Sequence, residues 1–185
     1  MYRLFKLVVI VLIILYPFSI YFGLSYFSPS QMGVFLLAIF VLRAVVTKRQ
    51  APHRATQMIL TLVIGGVLAS LTWLFNNEKY LLWYPVGLST VFFIIFTSSL
   101  ISPPTVVESI ARIREPNLNA AGIAYTRKVT MIWSAFFVLN AMIATWTVLN
   151  DDIKLWTLYN GLLAYIAMGT LFAVEMVVRR YVRGK

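Results

Sequence analysis

The sequence predicts an all-α integral membrane bundle, with six transmembrane helices and one short interfacial helix on the cytoplasmic face. Three observations carry this. The chain is 61% hydrophobic and 12% charged over 185 residues, whereas a soluble domain is nearer half apolar and a quarter charged. Its apolar residues gather into six runs, each near the ~20 residues that cross a bilayer as a helix. Of 16 Lys and Arg residues, all but Lys79 and Lys154 fall on one side of the arrangement those runs define. That asymmetry places the basic loops and both termini in the cytoplasm.

The same charge pattern disposes of another reading. A formal net charge of +10 in a soluble protein points to nucleic acid. Here the positive-inside bias accounts for it, and no nucleic-acid partner is expected. With no cysteine in the chain, disulfides, thiolate nucleophiles and cysteine metal sites are excluded. No metal or cofactor is expected.

In chain order, the first span covers about 4–26. Arg3 and Lys6 precede it as they would a signal peptide. The run is too long for one and lacks a small-x-small cleavage site, so it reads as a retained span. Pro17 in its middle predicts a kink. Ser28-Pro29-Ser30 turns the chain into the second span, about 31–47, where Arg43 can snorkel. The basic turn 48–55 contains His53. The third span is about 56–75, and its Gly65-Gly66 pair predicts a close helix approach. Asn76 to Lys79 turns into the fourth span, about 80–101, which contains Pro85.

The polar stretch 102–128 follows, then the fifth span, about 129–149. A turn at Asn150-Asp151-Asp152 leads to the sixth span, about 154–178. All six form one membrane domain over 1–185, leaving a monomer and a homo-oligomer both open. The turns repeat. Trp73, Asn77, Glu78 and Trp83 return 73 residues later as Trp146, Asn150, Asp151 and Trp156. Gly87-Leu88 pairs with Gly161-Leu162 one residue out of step. Tryptophan at an outer interface explains the pattern as well as a parallel duplication does.

The polar stretch holds the first candidate site. Thr105 and Glu108 have capping-box spacing, and Pro116 stops the helix they begin, about 105–115. Val106, Ile110 and Ile113 fall on one stripe, as in a helix lying on a leaflet. Arg112, Arg114, Arg127 and Lys128, with Glu108, form a surface for lipid phosphates or an acidic partner such as an acyl carrier protein. The plain alternative is that these cations only fix topology. Within the spans, Glu175, Asn140 and Asn160 are polar candidates. An ionisable group in a span suggests function, although Arg179 one turn on offers Glu175 a partner. The two asparagines read as interhelical hydrogen-bonding groups. The sole histidine, His53, finds a carboxylate only in Glu108 or Glu115, so catalysis has little to work with. The chain is expected not to be an enzyme.

Several stretches resemble one family. They are Pro104 to Arg112, Tyr125 to Thr130, Trp133 with Phe136-Phe137 and Asn140, Leu155 to Leu162, and Glu175. They are similar to small polytopic inner-membrane proteins encoded beside aryl-polyene and xanthomonadin-type lipid biosynthesis enzymes. More distantly, Leu71 to Gly87 and Trp133 to Gly161 resemble intracellular septation protein A. The closer resemblance covers about 70–180 and carries no catalytic residue. It implies a bacterial inner-membrane protein that scaffolds or assists envelope-lipid assembly or transfer, with lipids and lipid-synthesis enzymes as partners. The alternatives are a small lipid transporter or flippase, and a septation-type partner of the division machinery.

Overall fold

The computed structural model describes residues 16–47, 52–113 and 115–183, and the side chains of 40–47, 52–62 and 181–183 lie outside that description. The described residues form helices joined by short turns, without a strand: α1 (Tyr16–Tyr26), α2 (Pro29–Thr47), α3 (Pro52–Phe75), α4 (Lys79–Leu82), α5 (Tyr84–Ile101), α6 (Val106–Arg112), α7 (Ala120–Leu149) and α8 (Ile153–Leu158). A π-helical turn (Tyr159–Leu163) then leads into α9 (Ala164–Arg183).

Three stretches are long and apolar enough to cross a membrane: Lys79–Ile101, Ala120–Leu149 and Ile153–Arg180. They correspond to the fourth, fifth and sixth predicted spans. Of the other three, Pro29–Ile39 and Val63–Phe75 are shorter apolar stretches, and much of the first lies outside the described residues, including the chain before the expected kink at Pro17. Three helices long and apolar enough to cross a membrane are thus present among the described residues, which suggests a membrane protein, whereas the six predicted spans are matched only at the last three.

The helices pack as two antiparallel pairs, α2 with α3 and α5 with α7. Gly33 sets the first. A Cβ there would stand 2.8 Å from both the Ala69 carbonyl oxygen and the Trp73 amide nitrogen, so the two backbones touch where no side chain fits. The predicted Gly65-Gly66 approach is only half present. Gly65 is buried, but a Cβ on Gly66 would meet nothing within 4 Å. The second pair is an aromatic seam in which Phe137 stacks on Phe92 at 5.1 Å between centroids and meets Phe96 edge-on at 5.1 Å.

Proline organises the remaining core. Pro85 has no N–H, so the Leu81 carbonyl one turn earlier loses its helical donor. In an apolar setting such a group needs another partner. The Tyr16 hydroxyl of α1 donates to Leu81 O at 2.7 Å, and the Trp156 indole N–H of α8 donates to the next carbonyl, Leu82 O, at 3.0 Å. Around these bonds pack Ile20, Met32, Val148 and the fully buried Trp156. A break in one helix therefore fastens two others to it.

The echoed turns lie side by side. Each passes through a residue of positive φ, Asn76 at 47° and Asp151 at 54°, and each restarts as a short helix before the long one. Lys79 of the first turn pairs with Asp151 of the second at 2.7 Å. Trp73 and Trp146 are exposed, as suits an outer interface.

Candidate functional site

Polar side chains concentrate at three levels: inside the α5–α7–π-turn core, at the Tyr125–Glu175 contact, and in the cap formed by residues 99–128. In the core, the Asn140 amide bridges two neighbours. Its Nδ2 donates to Ser89 Oγ at 2.8 Å, and its Oδ1 accepts from the Tyr159 hydroxyl at 2.9 Å. One side chain of α7 therefore joins α5 to the π-turn. Asn160 donates through Nδ2 to Thr147 Oγ1 at 3.2 Å and to the Trp156 carbonyl at 2.9 Å, while its buried Oδ1 has no hydrogen-bond partner. The π-helical turn carries both Tyr159 and Asn160 to α7, and such turns are frequent at functional positions.

Glu175 does not make the expected pair with Arg179. Among the described residues no ion pair joins them. The Tyr125 hydroxyl, on α7, instead lies 3.4 Å from Glu175 Oε1 and 3.3 Å from its carbonyl oxygen. The sequence separation of 50 residues explains why spacing rules pointed to Arg179: the nearer partner is distant in the chain. Tyr125 stood in the polar stretch without a role.

In the cap, the capping box forms as predicted: Thr105 Oγ1 accepts from the Glu108 amide and Glu108 accepts from the Thr105 amide. The helix ends at Arg112, three residues short of the predicted end. Glu108 is buried, and its Oε1 accepts from Arg112 Nε at 2.9 Å and Nη2 at 2.8 Å. Arg112 Nη1 donates to Pro116 O at 3.0 Å. The guanidinium that sequence reading offered to a phosphate thus ties down its own helix and the loop after it. Both Glu108 oxygens already accept hydrogen bonds, and the side chain of His53 lies outside the described residues, as does Arg114. Arg127 Nη1 donates to Leu100 O at 2.9 Å, closing the open carbonyl end of α5. Lys128 is exposed and makes no hydrogen bond or ion pair among the described residues.

Helix α7 begins at Ala120, nine residues before the predicted fifth span. Asn119 caps it by accepting from the Gly122 amide at 2.8 Å. Thirty residues make about 45 Å of helix at ~1.5 Å each, so the polar turns 120–128 extend beyond a hydrocarbon core of ~30 Å. Hydropathy finds the part inside lipid, and the cap residue marks the true start. On the outer surface of the cap, Ile110 is 59% exposed and Ile113 74%. The buried residues of this helix are Glu108 and Ala111, so Ile110 and Ile113 of the predicted apolar stripe point away from the bundle, while Val106 is half-buried. No group of His, Asp and Glu suited to a metal occurs among the described residues. No family model matches the chain, and neither does any curated protein or any solved structure.

Proposed function

We propose that this chain is a six-span inner-membrane protein with both termini in the cytoplasm, acting without catalysis as a scaffold for envelope-lipid assembly or transfer at the cytoplasmic leaflet. The observation that carries the reading is the cap. A seven-residue helix is held by a capping box, an ion pair, a hydrogen bond from the Val106 amide to Ser99 of α5 and one from Arg112 to the Pro116 carbonyl. It presents Ile110 and Ile113 outward, on the same end of the bundle as exposed Lys128 and Arg127. A rigid apolar tip beside cations suits the boundary of an anionic leaflet, where lipid-synthesis enzymes and acidic carrier proteins work. The resemblance to proteins encoded beside aryl-polyene enzymes supports the same setting.

Because Arg112 is engaged by Glu108, the informative variant is Arg114→Gln with Lys128→Gln, which leaves that pair intact. Lipid profiling should show a several-fold loss of envelope-lipid product, with less of the pathway enzymes recovered in the membrane fraction. Unchanged yield and recovery contradict the scaffold. A second reading, a small lipid transporter, draws on the Asn140 and Asn160 clusters. It requires a hydrated path past them, and Asn140 is engaged in bonds to Ser89 and Tyr159 that hold α5 and the π-turn together. Crosslinks to peptidoglycan-synthesis proteins in place of lipid enzymes would favour the septation-type partner.

A further inference from the structure

We propose that Glu175 and Arg179 on α9, with Tyr125 on α7, form a binding site for a single-chain phospholipid that keeps a free glycerol hydroxyl, that is, a lysophospholipid. The proposal rests on α9 crossing the bilayer and not on the scaffold reading.

Depth is the first argument. The stretch Ile153–Arg180 has 28 residues, about 42 Å of helix at ~1.5 Å per residue. The hydrocarbon core is ~30 Å, so the ends of this helix reach the headgroup layers. Arg179 lies about 6 Å of helix beyond Glu175, towards the chain end. Along α9 towards the chain end the order is exposed Phe172, then Glu175 with the Tyr125 hydroxyl at its carboxylate, then Arg179. Glu175 and Tyr125 are in contact, and Arg179, four residues on, stands on the same face of α9.

Valence is the second. The Glu175 carboxylate accepts one long hydrogen bond, at 3.4 Å. Arg179 makes no hydrogen bond or ion pair among the described residues, although both side chains are half-buried. An acid at this depth is costly without a donor. A guanidinium brings five donors in a fork that matches phosphate.

Chemistry selects the ligand. A diacyl phospholipid offers a phosphate to Arg179, but its glycerol carries ester oxygens, which accept and would face the carboxylate. An amine headgroup places its cation outside the phosphate, opposite to the order of Glu175 and Arg179. A free glycerol hydroxyl lies on the hydrocarbon side of the phosphate and donates. It meets Glu175 while the phosphate meets Arg179, and the acyl chain runs along Phe172.

The test uses the full chain in nanodiscs of diacyl phosphatidylglycerol. These are doped with equal small fractions of 1-acyl-lysophosphatidylglycerol and its 2-deoxy analogue, and bound lipid is read by native mass spectrometry. The wild type should retain the hydroxylated lipid over the deoxy one by roughly tenfold, the scale of one hydrogen bond to a charged group. Glu175→Gln should bring that preference close to unity, and Arg179→Gln should reduce retention of both single-chain lipids. Equal retention of the two analogues by the wild type, a preference that survives Glu175→Gln, or stronger retention of the diacyl lipid overturns the proposal. The wild-type comparison decides the matter even where a variant folds poorly. A negative result here leaves the scaffold reading standing, because that reading is tested by product yield.

Discussion

Replacing Trp156 with alanine should destabilise the protein by about 3–5 kcal/mol, the range for emptying a fully buried Trp or Phe site. Trp156 is 0% exposed and holds the Leu82 carbonyl, so the variant loses packing and a buried hydrogen bond together. Trp156→Phe separates the two, and should cost about 1–3 kcal/mol for the unpaired carbonyl. Reversible unfolding in mixed micelles reads both. The account also makes a coupled claim about Tyr16. Its hydroxyl matters because Pro85 cannot donate to Leu81, so Tyr16→Phe should cost less when Pro85→Ala has restored an N–H at that position. An equal cost of Tyr16→Phe in both backgrounds contradicts the assignment.

The second large effect is expected at Gly33. Gly33→Ala puts a methyl 2.8 Å from backbone atoms of both Ala69 and Trp73. Backbone cannot rotate aside as a flexible side chain can, so α2 and α3 must separate, at about 1–3 kcal/mol. Gly66→Ala on the same pair is the control. Open space surrounds it, and the gain in helix propensity of up to ~1 kcal/mol makes it neutral or stabilising. The same unfolding measurement checks both. If Gly66→Ala proved as damaging as Gly33→Ala, the packing of this pair would be misassigned.

These two sites show what the sequence made legible. Hydropathy and length located the fourth and sixth spans to within a few residues of helices able to cross a membrane, and the end but not the start of the fifth, because burial in lipid demands a continuous apolar run. The capping box at Thr105 and Glu108 was equally readable, since a cap depends on neighbours three residues apart. Partners far apart in the chain were not. Nothing local links Pro85 to Tyr16 and Trp156, or Glu175 to Tyr125. The Gly65-Gly66 pair suggests a close helix approach, but the glycine whose Cβ would meet another helix's backbone is the single Gly33. Pro85 lies in the fourth predicted span, and the carbonyl it leaves without a donor is the signal for the core around it. Arg112 looked like a free cation because spacing shows that Glu108 lies one turn away but not that both its oxygens are taken.

The central claim is the arrangement of the chain across the membrane, since the cap, the outer turns and the lipid-facing helix all take their meaning from it. The chain has no cysteine, so single cysteines placed at Ser28, His53, Asn77, Ser109, Asn117 and Lys154 report sidedness through an impermeant maleimide on intact cells. The account predicts labelling of Ser28→Cys, Asn77→Cys and Lys154→Cys from outside, and of the other three only after permeabilisation. Labelling of His53→Cys from the same side as Asn77→Cys would contradict six spans, and labelling of Ser109→Cys or Asn117→Cys from outside would remove the cap from the cytoplasm.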